Sequence, residues 1–385
     1  MSPVTYNYPM SSPRIAIVHD FFHSLGGAER VVLALSEIYP DAPIYTLTYD
    51  KKLDKWFGNK KIITSYLQKW RFIPSRFFIG LYPQAIESFD FSEYDVVISS
   101  SSSYAKNILT KPETIHLSYI HSPMRALWDS AHTQLSRQAH RTPIGRAFGL
   151  TELIASNILH HIRIWDRLGA SRVDQFVANS KYVAERIRKF YRRESIVIYP
   201  PVDTDKIKLS PVKGDYFIAI ARLSQYKNVD LVVQACNELK LPLVVIGTGE
   251  MEAKLKKMAG PTVTITGWIG DSEKIKYIQE SRALIFPVEE DFGIVPVEVM
   301  SAGKPVLAYA KGGLLETVID GTTGLFFPEQ TVESIKRTIQ EFIGREGEFN
   351  PEIISQHAQQ FSRERFQSKI KSLVNSLWQE SNAKE

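Results

Sequence analysis

One cysteine in 385 residues, Cys236, excludes an intramolecular disulfide and a metal cage built from cysteines. It also fits a reducing compartment. Cys236 falls in an amphipathic helical pattern, so a buried, unreactive thiol is expected. No apolar run approaches the roughly 20 residues that span a bilayer. Residues 1–12 lack the basic-then-apolar build of a secretory signal, so a cytoplasmic location is expected. Acidic residues are scarce in the first half. Residues 1–200 hold 25 Lys+Arg against 17 Asp+Glu, whereas the remainder holds 22 against 25. A basic half suits an anionic partner such as a membrane surface or a lipid diphosphate. Nothing resembles a nucleic-acid recognition module, so no nucleic-acid partner is expected.

What is present is a soluble-type composition, 44% hydrophobic and 23% charged, at a length that predicts two domains. Short apolar runs alternate with helical patterns. Strands are predicted at Arg14–Asp20, Pro43–Thr48, Val96–Ser99, Thr114–Ile120, Gln175–Ala178 and Ser195–Val202, then at Tyr216–Ala221, Leu243–Ile246, Val263–Thr266, Ala283–Pro287, Pro305–Tyr309 and Gly324–Phe327. This rhythm predicts an α/β fold with parallel sheets covered on both faces. The stiff Pro200-Pro201 pair places a domain boundary near Val202. The domains are then 1–202, 203–355 and a C-terminal helical segment 356–385.

The most informative stretch runs from Phe286 to Val306 and reads as strand, charged turn and helix, stopped by Gly303-Lys304-Pro305. The helix N-terminus faces the turn and offers N–H groups suited to phosphate. Glu290 in the turn and Glu298 in the helix flank it. If the whole stretch were helical they would lie near one line, about 12 Å apart. Earlier, Ala221-Arg222-Leu223-Ser224-Gln225-Tyr226-Lys227-Asn228 sets two cations at a strand end and helix start, a phosphate clamp in form. Gly26-Gly27-Ala28-Glu29 follows the first strand; it is not a G-x-G-x-x-G fingerprint, but it lets backbone approach a bound group. His121 ends the strand at Ile120, at the edge where parallel sheets place ligands. Asp203-Thr204-Asp205 has the look of a metal-binding Asp-x-Asp, but it follows Pro-Pro in a linker, so a helix start is expected instead. The pair His160-His161 comes without a carboxylate partner set and is read, like His132 and His140, as surface or packing residues. Between Trp56 and Tyr82 lies an insertion rich in aromatics and bases, including Trp70, Arg71, Phe72 and Phe77. It reads equally as a membrane- or lipid-gripping face and as helices packed on a sheet edge.

Glu290 and Glu298 with Phe292-Gly293-Ile294 between and Ala302-Gly303-Lys304-Pro305-Val306 after resemble the signature of the retaining glycosyltransferases of family 4, the "group 1" family. The resemblance implies the GT-B fold, two Rossmann-like domains with parallel sheets facing across a cleft, and transfer of a hexose from a nucleoside-diphosphate sugar. It implies that Glu290 and the backbone of Phe292, Gly293, Ile294 and Val295 contact the donor sugar and phosphate, and that Glu298 binds the ribose. Arg222 and Lys227 match the diphosphate-binding pair, and Gly267 with Trp268 the loop that meets the nucleobase. Gly26 and Gly27 match the turn near acceptor and diphosphate, and His121 the histidine at the donor sugar. Asn179, before Ser180, matches a position at the interdomain cleft. Gly312-Gly313-Leu314-Leu315-Glu316 is similar to a further cleft motif, although Glu316 could serve only as a cap on its own helix. The run His121-Ser122-Pro123-Met124-Arg125-Ala126-Leu127-Trp128-Asp129 resembles mannosyltransferases of bacterial surface-polysaccharide assembly, which adds Arg125 as an acceptor contact and GDP-mannose as the donor. A lipid-linked or glycan acceptor and peripheral contact with the inner face of an anionic membrane are expected. With Arg222, Lys227 and helix N–H groups opposing the leaving charge, neither a metal nor another cofactor is expected. The alternatives are a UDP-sugar donor, a non-catalytic sugar-nucleotide-binding protein, and an epimerase or phosphorylase of the same fold. The phosphorylase would need a pyridoxal-phosphate lysine.

Overall fold

A computed structural model describes residues 12–72, 79–129, 150–210, 212 and 214–383. The chain divides into two compact units. One gathers Met1–Val177, Arg186–Ile196 and Ile370–Glu385; the other gathers Ala178–Glu185 and Val197–Lys369. The division therefore falls inside the last helix.

The first unit is built on strands β1 (Ile15–Phe22), β2 (Ile44–Tyr49), β3 (Ile62–Thr64), β4 (Val96–Ser101), β5 (Ile115–Ile120), β6 (Gln175–Ala178) and β7 (Ile196–Val197). Their order in the sheet is β3-β2-β1-β4-β5-β6-β7. The β1–β2, β1–β4, β2–β3 and β4–β5 pairings are all parallel. Its helices are α1 (Gly27–Ile38), α2 (Leu150–Gly169) and α3 (Lys181–Tyr191), the start of α3 being assigned to the other unit. Every residue of β2, β4 and β5 is buried, which is why these strands read as apolar runs rather than alternating ones. Val31, Val32, Ala34 and Leu35 of α1 are fully buried, each worth about 1.5–3 kcal/mol relative to exposure for side chains of Val or Leu size.

The second unit carries β8 (Tyr216–Ile220), β9 (Leu243–Ile246), β10 (Val263–Gly267), β11 (Ser281–Phe286), β12 (Val306–Tyr309) and β13 (Gly324–Phe327). Their order is β10-β9-β8-β11-β12-β13, all parallel. Helices α4 (Val229–Leu239), α5 (Glu252–Met258), α6 (Asp271–Gln279), α7 (Ile294–Ser301), α8 (Val332–Arg345), α9 (Pro351–Ala358) and the start of α10 (Arg363–Asn382) complete it. Cys236 is fully buried in α4, and burial pushes its thiol up to about 12, as the single-cysteine reading expects.

Three sequence expectations need correction. The stretch between Trp56 and Tyr82 is not only helical or interfacial: Ile62-Ile63-Thr64 joins β2 as an edge strand, too short to show a period. The strand expected over Ser195–Val202 is only Ile196–Val197, because two successive prolines cannot donate to a ladder; Val202 instead bridges to Ser362. The C-terminal helix breaks at Gln359–Phe361 into α9 and α10. Among the described residues, no helix is long and apolar enough to cross a membrane.

Candidate active site

In the second unit, loops at the carboxyl edge of the sheet are tied to one another. The Leu223 N–H donates to the Thr248 carbonyl at 2.9 Å, and the Met251 N–H to the Leu223 carbonyl at 2.9 Å. The Gly247 N–H donates to the Gly267 carbonyl at 3.0 Å, and the Gly313 N–H to the Glu290 carbonyl at 2.9 Å. Gly312 adopts φ +70° where it bridges to Glu290. A Cβ at residue 313 would strike the Asp291–Phe292 backbone, so the second Gly-rich turn is needed to let the two loops touch.

Within this frame Lys227 and Glu290 form an ion pair. The lysine side chain is 13% exposed and the glutamate 31%. Arg222 lies on the same β8–α4 loop, and its side chain is exposed with no hydrogen bond or ion pair among the described residues. The turn after Glu290 is not helical. Gly293 takes φ +94° and α7 starts only at Ile294, so the straight 12 Å line between Glu290 and Glu298 does not apply. No side chain caps α7. Its first-turn N–H groups at Ile294 and Val295 have no intrahelical partner, and Pro296 has none to offer. The Phe292 side chain turns away into the core, 3% exposed and 5.4 Å from the Phe361 ring; only its backbone serves the loop. Glu298 is 6% exposed and held by Lys274, whose ammonium lies 3.0 and 3.1 Å from the two carboxylate oxygens. Gly267 has φ +76°, and Trp268 beside it is 80% exposed.

Asn179 is buried, its side-chain amide 3.1 Å from Ser180 Oγ. Ser180 caps α3 as the sequence implied, accepting the Val183 N–H at 3.1 Å, while its own hydroxyl donates to the Asp291 carbonyl at 2.5 Å. Glu316 does not cap its own helix. Its carboxylate takes the Lys181 and Tyr182 N–H groups at 2.7 and 2.8 Å, at the start of α3.

In the first unit, His121 belongs to a chain of contacts that sequence alone did not show. His19 Nδ1 lies 3.0 Å from the Ser100 carbonyl, an acceptor only, so this nitrogen carries the proton. Ser100 Oγ is 2.8 Å from His121 Nε2. Either the hydroxyl or the ring nitrogen can donate in this contact, according to the tautomer of His121. Burial, then the neighbouring His19, pushes His121 down to about 3. Burial also pulls His19 down, but Glu29, Asp20 and the Ser100 carbonyl outweigh it and the net direction is up. Glu29, 3.9 Å from His19 Nε2, reaches back to the Gly26 N–H at 2.9 Å, the N3 half of a capping box. A Cβ at residue 26 would meet that carboxylate. The Gly26 N–H is thus engaged inside the chain, and the donors left at the start of α1 are those of Gly27, Ala28 and Glu29.

Of the rest of the His121 motif, Trp128 and Asp129 are tied to the chain itself. Arg125 opens a short helix, Arg125–Trp128. Trp128 Nε1 donates to Asp166 Oδ2 at 2.8 Å, and Asp129 pairs with Arg186. Asp166 is fully buried and pairs with Lys106 at 2.8 Å. Asp20, at 3% exposure, accepts four backbone N–H groups, from Ser102, Ser103, Tyr104 and Ala105, at 2.6–2.9 Å. Asp203 of the Asp-x-Asp run pairs with Arg363 at 2.6 Å and Lys206 at 2.9 Å, next to the short turn Thr204–Lys206. Among the described residues no three His, Cys, Asp or Glu side chains are grouped as a metal site. His132 and His140 lie outside the described residues; His160 and His161 are exposed.

Comparison with known proteins gives this geometry a family. The family model described as "Glycosyltransferase Family 4" matches residues 25–206, and that described as "Glycosyl transferases group 1" matches residues 203–361. The alpha-1,3/1,6-mannosyltransferase ALG2 of Mus musculus is 25% identical over 397 residues, covering 86% of this chain and 88% of that one. The O-antigen chain mannosyltransferase C of Escherichia coli is 26% identical over 214 residues, covering 51% of this chain and 56% of that one. Among solved structures, the Anabaena protein HepE in complex with UDP is similar with a TM-score of 0.68 at 16% identity, over 94% of this chain and 100% of that one, which speaks for the fold. With two parallel α/β sheets, each matched in turn by one of the two family models, the chain belongs to the family 4, group 1 glycosyltransferases of GT-B type.

Proposed function

We propose that this glycosyltransferase moves mannose from GDP-mannose to a hydroxyl of a lipid-linked or polysaccharide acceptor, with retention of anomeric configuration and without a divalent metal. The observation that carries the reading is the Lys227–Glu290 pair set beside the uncapped N-terminus of α7. There a diphosphate would meet Lys227, Arg222 and the first-turn N–H groups, while Glu290 holds the sugar and Glu298 the ribose; the family resemblance gives His121 of the first unit a role toward the sugar. The mannosyl choice draws support from the mouse and E. coli relatives, both named as mannosyltransferases.

The acceptor oxygen bonds to the anomeric carbon as the bond from that carbon to the phosphate oxygen breaks. The electron pair stays on the nucleoside diphosphate, and the acceptor proton passes to a departing phosphate oxygen on the same face. Two cations and oriented N–H groups oppose the growing negative charge, which is where a preformed polar site does most for a rate. Glu298 enters with its charge already balanced by Lys274, so a ribose meets a fixed acceptor rather than a wandering one.

A UDP-sugar donor is the second reading, since the Anabaena neighbour was solved with UDP. The test is a panel of GDP-, UDP- and ADP-sugars, read as stabilisation by the bound donor and as released nucleoside diphosphate, with and without EDTA. GDP-mannose should give the largest shift and EDTA should leave turnover unchanged. Preference for a UDP-sugar would overturn the donor, loss of turnover in EDTA the metal independence, and absence of any donor binding the whole reading.

A further inference from the structure

The register of the first sheet sets a second histidine behind His121. On β1 and β4, His19 and Ser100 are register partners; on β4 and β5, Ser101 and Ile120 are. The chain leaves β5 with the His121 N–H donating to the Ser101 carbonyl at 2.9 Å. Neighbouring strands lie about 4.8 Å apart, so His19, Ser100 and His121 can meet side chain to side chain across three strands. Ser99, the next residue along β4, points to the opposite face. Its hydroxyl lies 2.9 Å from His116 Nε2 and 2.8 Å from Ser118 Oγ, so the two serines serve different histidines.

Ser100 is fully buried. Among the described residues, its hydroxyl has two ring nitrogens in reach, His19 Nδ1 at 3.2 Å and His121 Nε2 at 2.8 Å. A hydroxyl has one proton to place. His19 Nδ1 cannot take it, because that nitrogen already carries a proton toward the Ser100 carbonyl at 3.0 Å. This holds whether His19 is neutral or charged. The His19 ring is held from its other side by Glu29, 3.9 Å from Nε2 and itself bonded to the Gly26 N–H at 2.9 Å, and Phe22 packs edge-on at 4.8 Å. Within reach of the hydroxyl, His121 Nε2 is then the acceptor. The reverse arrangement, with His121 Nε2–H donating to Ser100, would bury a hydroxyl proton with no acceptor, a cost that folded interiors avoid. Burial, aided by His19, holds His121 down at about 3. At neutral pH its ring therefore has a single proton, and the bond to Nε2 decides which nitrogen holds it.

We propose that Ser100 is a positioning residue: its hydroxyl holds His121 in the Nδ1–H tautomer, so that His121 meets the donor sugar as a hydrogen-bond donor. This deepens the transferase reading given above and rests on its assignment of His121 to the sugar. Histidine free in water favours the Nε2–H tautomer, so the serine imposes the rarer form. A ligand that binds one of two forms loses apparent affinity in proportion to the fraction of that form.

Protein labelled with ¹⁵N in its histidine rings reports the protonation of each nitrogen by chemical shift, and H121Q identifies the His121 signals. Wild-type protein should show His121 protonated at Nδ1 and bare at Nε2. S100A should shift population to Nε2–H, and S100T, which keeps the hydroxyl, should restore the wild-type pattern. GDP-mannose and GDP are then titrated into the full chain. In S100A the dissociation constant and KM of GDP-mannose should rise several-fold, by the inverse of the Nδ1–H fraction read from the spectrum. The kcat should be nearly held, because a bound sugar selects the right tautomer. GDP lacks the transferred sugar and should bind S100A as it binds wild type. Melting temperature establishes that each variant is folded. A wild-type spectrum with the His121 proton on Nε2 overturns the proposal, and so does an unchanged spectrum in S100A. Equal losses of GDP and GDP-mannose affinity overturn it as well, since a merely structural serine would weaken both alike. Failure of wild-type protein to bind any nucleotide sugar would instead count against the transferase reading, and the wild-type and S100A spectra would still decide the tautomer.

Discussion

Replacing Lys227 by alanine separates a catalytic cation from a structural one. The ammonium is 13% exposed and pairs with a glutamate that is 31% exposed. An ion pair so open on one side adds about 1 kcal/mol or less to folding. If Lys227 also opposes the charge of the departing diphosphate, its loss should raise the barrier by about 2–4 kcal/mol, roughly a 30- to 900-fold fall in rate. Activity should therefore drop far more than stability. The assay is single-turnover transfer from the donor chosen by the panel, with kcat and KM resolved and melting temperature measured in parallel. Glu290→Gln supplies the control, since it breaks the same pair and leaves the cation. Were the pair only a structural clasp, K227A and E290Q would show the same small loss, and a double variant would lose no more than either. A fall below about fivefold in K227A, or a stability loss large enough to account for the rate, would refute the argument.

Two further outcomes follow from buried groups of the first unit. Asp20→Ala strips the acceptor from four backbone N–H groups. At about 1–3 kcal/mol for each donor left unpaired, less what water recovers, the first unit should lose at least about 3 kcal/mol; urea unfolding with an unchanged midpoint would contradict it. Stability should also fall as pH drops from about 6.5 toward about 3. In the fold, burial holds His121 at about 3, aided by His19, and holds His116 at about 3, aided by the charges of Lys106 and Arg172, whereas the unfolded chain titrates near 6.5. In that window the unfolded state binds more protons, so each histidine tilts the balance by about 1.4 kcal/mol per pH unit. His19, raised, works the other way: its contribution is present below the unfolded value and is lost as pH rises through the folded one. Melts across pH should show a flatter acid limb in His121→Gln and a flatter neutral-to-alkaline limb in His19→Gln; an acid limb unaltered by His121→Gln would contradict the assignment.

The strands were legible because a parallel strand covered on both faces has no room for polar alternation, so Ile15–Val18, Leu243–Ile246 in register with its neighbours, and Ala283–Phe286 stand out as bare apolar runs. Ile62–Thr64 escaped because three edge residues carry no period. In the site, the charged members announced themselves by sitting at strand ends beside glycines: Arg222, Lys227 and Glu290 needed no neighbours to be noticed. Their supports did not. Ser100 meets His19 from 81 positions away, and Asp20 meets its donors from 82 to 85 positions away, so no local pattern marks them. Trp128 and Asp129 show another limit: the motif stands out in the sequence, but the partners its side chains take, Asp166 and Arg186, lie 38 and 57 positions away and do not.

Lys274 shows why the distinction matters for chemistry. On α6 it reads as one more solvated lysine, yet it holds Glu298 with two bonds at 3.0 and 3.1 Å. A lone carboxylate 6% exposed would resist burial, and near the N–H groups proposed to take a diphosphate it would repel that group. Paired, it keeps lone pairs for hydroxyls while presenting little net charge. The family signature records the glutamate, and the condition that would let it stand beside the proposed diphosphate site lies in a residue 24 positions earlier.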